Sequence, residues 1–259
     1  MIHNLFAFFG ADHKVGTTMI TQSVAETIST NHPNLKILMI AMNGRESTEY
    51  IRESSASIDG IKIQIDNKMI SGEDFLKTCT HKGNLYFMAG ISNETEERYY
   101  HPDMAKYLLE EIAPEFDLVI ADCGNKLDNG LSIGTLSIAE DRFLVATQQE
   151  TVIRRQEKNR KLLEDLGIEI SALIINKYYD QDPYEISYIA SRLELEKEQF
   201  LKIDSAGYSR QAEIEYKTLL NYKNNAYLLD IIAVANVILI RCGLTEIQRQ
   251  RKSRWKSFI

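Results

Sequence analysis

The run Leu5-Phe6-Ala7-Phe8-Phe9 constrains the fold more than any other stretch of the chain. Five apolar residues stop at Gly10, as a strand buried on both faces does before it opens into a loop. From Thr17 to about Ser29, apolar Ile20, Val24, Ala25 and Ile28 recur at helical spacing, and Thr17 or Thr18 can cap the first turn. Strand, glycine-bounded loop and helix in this order place the unpaired N–H groups and positive dipole end of a helix at the end of a buried strand. That is a natural seat for a phosphate.

The alternation continues downstream. Apolar runs suited to strands occur at Ile37–Met42, Leu85–Ala89, Leu118–Ala121, Arg142–Thr147 and Ala172–Asn176, with a weaker one at Gln199–Ile203. Amphipathic stretches such as Met104–Ile112 and Glu150–Leu166 separate several of them. Strands alternating with helices imply crossover units, hence an α/β fold with a mostly parallel central sheet and helices on both faces. No low-complexity linker or repeat interrupts the pattern, so residues 1–259 are expected to form a single domain ending in a basic tail, 249–259. The run Leu228–Ile240 is broken by Asp230 and Asn236 and is shorter than the roughly 20 residues of a membrane span, so it is expected to be a buried helix.

Charge and cysteine usage narrow the partners. A net charge of −7 argues against general electrostatic binding of nucleic acid. The positive charge collects in Arg249–Lys256, the one place suited to contact with an anionic surface. Cys79, Cys123 and Cys242 are far apart and lack metal-ligand spacing, and the first residues do not read as a signal peptide; a reducing cytoplasm fits both.

The loop Gly10-Ala11-Asp12-His13-Lys14-Val15-Gly16-Thr17-Thr18 does not satisfy the strict pattern G-x-x-x-x-G-K-[ST], because Ala11 stands at the first glycine and Thr17 at the lysine. It nevertheless resembles the ParA/MinD group of P-loop ATPases, whose loop reads approximately G-K-G-G-V-G-K-T-T. The resemblance puts Thr18 on the Mg²⁺-binding hydroxyl and Asp12 on the group's extra signature lysine. The threonine at the loop lysine is similar to the TadZ/CpaE-like branch. Further resemblances follow in order. Phe116–Gly124 looks like the apolar strand ending in an aspartate, here Asp122, near Mg²⁺; Phe143–Glu150 is similar to the next strand and loop. Leu173–Lys177 resembles the strand whose Asn, here Asn176, reads adenine, and Leu201–Asp204 falls where the family closes the base pocket.

The resemblance implies ATP or ADP with Mg²⁺ as ligands. Gly10, Lys14, Val15, Gly16, Thr17 and Thr18 would cradle the nucleotide, with Asn176 and Ile203 at the base and Thr18 and Asp122 at the metal. It also implies a homodimer that binds a protein partner and positions a larger assembly, such as pilus, partition or conjugation machinery. Ala41 and Asn43 stand where the family has Asp-x-Asp. With two lysines and two carboxylates missing, the expected activity is nucleotide binding with weak or absent hydrolysis, since phosphoryl transfer depends on positioning and charge neutralisation. Lys14, His13 or Arg45 could supply positive charge from new directions, and Glu46 could serve the water. The alternative is a scaffold of the same fold that no longer binds nucleotide. For the tail, two readings stand: a solvated helix end, or basic residues beside Trp255 and Phe258 meeting the inner face of the membrane, as in MinD-like proteins.

Overall fold

The computed structural model describes residues 1–51, 56–195 and 200–248. The tail 249–259, and with it the expected membrane contact, lies outside the described residues. The strands are β1 (Ile2–Gly10), β2 (Ile37–Ala41), β3 (Thr80–Lys82), β4 (Leu85–Met88), β5 (Leu118–Asp122), β6 (Ala139–Ala146), β7 (Ala172–Tyr178) and β8 (Phe200–Asp204). They form one sheet in the order β3-β4-β2-β5-β1-β6-β7-β8. Every pairing is parallel except that of the short edge strand β3, which runs antiparallel to β4.

Every residue of β2 and β5 is buried, so both faces of the sheet are covered. The α-helices are α1 (Thr17–Asn31), α2 (Lys62–Asp66), α3 (Gly72–Thr78), α4 (Pro102–Ile112), α5 (Gly130–Ile138), α6 (Glu150–Asp165), α7 (Ile186–Leu193), α8 (Ser209–Glu215) and α9 (Asn225–Arg241). Phe8 of β1 stacks on Phe143 of β6 with ring centroids 4.8 Å apart, tying the two halves of the sheet at its centre. The apolar run read as a buried helix forms most of α9, which packs on α1 and β8. No helix among the described residues is long and apolar enough to cross a membrane.

Two elements depart from the sequence pattern. Strand β6 begins at Ala139 rather than at Arg142, so it carries Asp141 and Arg142 into the protein. Arg142 Nε donates to Leu136 O at 2.5 Å, and Arg241 forms an ion pair with Asp141 at 3.3 Å. Helix α5, with the small-residue sequence GLSIGTLSI, lies so close to α4 that a Cβ on Gly134 would run into Pro102 O. Its N-cap Asn129 accepts from Leu131 N at 2.8 Å, and Ser132 Oγ donates to Met42 O (3.0 Å) and Cys123 O (2.8 Å). The first turn of α5 thereby fixes the chain just past β2 and β5, where the candidate site lies.

Candidate nucleotide site at the carboxyl end of β1

β1 lies between β5 and β6, where the order of the sheet reverses direction, and open parallel sheets bind ligands in the crevice outside the strand ends at such a point. The loop from Gly10 to Gly16 is rooted there: Gly10 N donates to Gly124 O at 2.6 Å and Ala11 N to Val145 O at 2.8 Å. At its far side two residues at the end of β7 grip the loop's carbonyls. Lys177 Nζ donates to Lys14 O at 2.9 Å, and Asn176 Nδ2 donates to Val15 O at 2.8 Å. Since a trans peptide directs its N–H opposite to its C=O, the N–H groups of Val15 and Gly16 face away from β7.

Lys14 (φ 58) and Gly16 (φ 97) both take the left-handed conformation, the second as N-cap of α1. Helix α1 has no side-chain cap and no acid in its first turn. The N–H groups of residues 15 to 19 find no acceptor among the described residues. Successive unpaired amides at a helix start form an anion-binding nest. Gly16 is required: a Cβ there would collide with Asn176 Nδ2, and its φ disfavours any side chain.

Thr18 and Asp122, 104 residues apart in sequence, meet directly. Thr18 Oγ1 donates to Asp122 Oδ2 at 2.6 Å, Asn43 Nδ2 donates to the same oxygen at 3.1 Å, and Gly124 N donates to Oδ1 at 3.0 Å. Burial pushes the fully enclosed Asp122 carboxyl up to about 6, against the pull of these hydrogen bonds, and the charge of Glu49 adds to the rise. Asn43 also donates from Nδ2 to Ser47 Oγ and accepts from Arg45 N at 2.9 Å. In register, Asp122 lies between Phe8 of β1 and Ala41 of β2. The strand end that could have brought two more acids to this point therefore brings a methyl group and an amide.

A cavity of about 640 Å³ opens over the loop, within the range of small-ligand sites. Lys14, Val15, Gly16, Thr17, Thr18 and Asn176 line it. Gly10 lies beneath, where a Cβ would stand 2.5 Å from Thr17 Oγ1, and Asp122 is reached through Thr18. Ile203 is a correction: β8 turns its side chain into the core, fully buried, and Asp204, Ser205 and Ala206 form the wall instead. Glu46 is a second, since Glu49 and not Glu46 lines the cavity. The chain next to Glu49 is tied to α1, because Gln22 Nε2 donates to Tyr50 O at 3.1 Å, a contact with no signal in the sequence. Asn176, expected at adenine, has committed its amide N–H to the loop.

Among the described residues no group of three or more His, Cys, Asp or Glu could hold a metal ion. The pair Thr18–Asp122 fits Mg²⁺ all the same, because that ion is commonly held by one or two protein oxygens together with the phosphates of its ligand. The Cys123 thiol, next in sequence to Asp122, is fully buried and pushed well up by burial, so it is not a nucleophile.

Solved structures with the same chain path decide the fold. A ParA-family ATPase from Chlorobium tepidum aligns with a TM-score of 0.79 over 90% of this chain and 98% of its own, at 16% identity. The fold is that of the ParA and MinD ATPases. The septum site-determining protein MinD from Pyrococcus horikoshii, complexed with Mg-ADP, aligns over 92% of this chain and 98% of its own with a TM-score of 0.68 and 14% identity. A MinC:MinD cell division complex from Aquifex aeolicus gives 0.70 over 95% and 99%, at 15% identity. No protein-family model matches the sequence, and no curated protein matches it. The likeness, at 14–16% identity, is one of fold.

Proposed function

We propose that the protein is a cytoplasmic ATP-binding switch of ParA/MinD type that positions a larger assembly, with hydrolysis slow or absent. The observation that carries this reading is the nest of unpaired N–H groups at residues 15 to 19, held open by the carbonyl grip of Asn176 and Lys177. Such a nest neutralises phosphate charge with backbone dipoles and needs no particular side chain. Gly10, Lys14, Val15, Gly16 and Thr17 shape the cradle. Thr18 and Asp122 would hold Mg²⁺, which supplies charge neutralisation between the phosphates. Asn176, with Nδ2 on Val15 O, would offer Oδ1 as the acceptor for an adenine amino group. Ser205 and Ala206, which line the cavity, would stand at the base in place of Ile203.

Slow hydrolysis follows from what surrounds Asp122. An Asn43 amide donates to the aspartate where a carboxylate would orient water, so the site can bind a nucleotide without being built to cleave it. The bound nucleotide would then act as a switch, shifting the equilibrium between monomer and homodimer and the affinity for a protein partner, with coupling required in both directions. MinD-type neighbours solved with Mg-ADP and in complex with MinC favour this reading.

Calorimetric titration with ATP and with ADP, each with Mg²⁺, tests it alongside Thr18→Ala. Saturable binding that is lost in the variant is the expected result. Absence of binding at millimolar nucleotide would favour the second reading, a scaffold that has kept only the fold, for which the absent lysines and carboxylates speak.

A further inference from the structure

Resting on the nucleotide reading above, we infer that the Lys14 side chain is a phosphate-binding group, supplying from the rising limb of the loop the positive charge that Thr17 cannot. The backbone at Lys14 is left-handed, φ 58, where a residue with a Cβ is disfavoured by roughly 1 kcal/mol and glycine is not. A strained residue at a site is retained when its side chain contributes something in return. Left-handed non-glycine residues recur around this cavity, at Lys14, Ser47 and Lys177. Strain therefore marks the rim, and among the lysines that line the cavity beside Arg45 and Arg210 the pairing of their ammonium groups selects the residue.

Three lysines line the cavity: Lys14, Lys126 and Lys177. Lys177 has committed its ammonium to Lys14 O at 2.9 Å. Lys126 is paired with Glu97 at 3.1 Å. Lys14 is exposed and has no ion pair or hydrogen bond from its ammonium among the described residues. The one acid of the loop does not draw it in, because Asp12 accepts from Arg155 Nη1 of α6 at 2.5 Å and from His13 N at 2.6 Å. The Lys177 bond fixes the Lys14 carbonyl, so the residue is anchored through its backbone while its side chain is left to the cavity. The ligand class is a nucleoside di- or triphosphate, the same ligand the nest takes.

Lys14→Asn and Lys14→Gly separate charge from backbone, since both residues accept the left-handed conformation. Melting temperature and affinity for ATP, ADP and AMP are measured for both, together with Lys14→Arg. The expected result is an unchanged or raised melting temperature in Lys14→Gly and Lys14→Asn. ATP affinity should fall by roughly tenfold or more in both, the size of one lost charge-assisted bond, and AMP affinity should fall less. Lys14→Arg keeps most of the ATP affinity. If Lys14→Asn binds ATP as the parent does, while Thr18→Ala does not bind, the inference is overturned and the nucleotide reading stands. A melting temperature that falls in step with affinity in both variants also overturns it, by making the position structural. If the parent binds no nucleotide, the reading and the inference fall together.

Discussion

The loop at Gly10–Thr18 and the segment Asn43–Tyr50 face the same cavity and have met opposite fates. The loop has no lysine at Thr17 and an acid at position 12, yet its backbone still forms a nest, because carbonyl grips and left-handed turns set where amides point. The segment after β2 is held as firmly, through Ser132 on Met42 O and Gln22 on Tyr50 O, but its expected contribution is carboxylates, and Asn43 brings an amide. Function carried by main chain tolerates replacement of side chains. Function carried by side chains does not, which is why binding is proposed to outlast hydrolysis here.

Breaking the loop should have the largest effect. Gly16→Val forces a β-branched residue into φ 97 against Asn176, and is expected to abolish nucleotide binding and to cost about 3 kcal/mol in urea unfolding. Next comes Asp122→Asn. Its carboxyl holds a proton to higher pH in the folded protein than in the unfolded chain, so this stabilisation is fully present below pH 3.8 and lost as pH rises through about 6. The variant should flatten stability between those values, a change of up to roughly 3 kcal/mol, and should remove the Mg²⁺ dependence of ATP affinity. A pH profile that is the same in both proteins would show that the burial of Asp122 is relieved by another route.

Asn43→Asp sharpens the comparison from the other side. A second carboxylate beside Asp122 should destabilise the metal-free protein by about 1–2 kcal/mol at pH 7, less at acid pH, with Mg²⁺ and ATP reversing the loss. Measurable ATP turnover in this variant and not in the parent would place the loss of catalysis in the segment rather than in the loop. The smallest effect is expected from Asp12→Asn. Its pair with Arg155 is partly exposed, so stability should change by less than about 1 kcal/mol, while removal of a negative charge beside the nest should tighten ATP a few-fold. Weaker binding would mean that Asp12 holds the loop in shape.

Legibility followed the same division. The strands Ile37–Ala41 and Leu118–Asp122, and the Ala172–Ile175 part of β7, were foreseeable because burial on both faces demands apolar runs. β3 was missed: three residues at the sheet edge, half or fully exposed, carry no pattern. α5 was missed because its residues, small or apolar and none of them exposed, have no charged face to mark a period. At the site, Thr18 and Asp122 could be named from the order of motifs. Glu49 could not, because the chain beside it is tied to α1 by a hydrogen bond from Gln22 to Tyr50 O, and no local pattern encodes a contact made across 28 residues. Ile203 was misplaced by one residue, which in a strand is the difference between core and cavity wall.

By itself the sequence determined the layering of the sheet, the place of the loop and the threonine where a loop lysine would stand, since these are properties of residue type and period. Only the tertiary structure decided that the loop's amides remain open, that Asn176 and Lys177 hold them so, that Asp122 is buried against Thr18 and an amide, and that Lys14 is left uncommitted. Those depend on which groups meet across more than a hundred residues of chain, and the direction of a peptide or the pairing of a charge exists only once they have met.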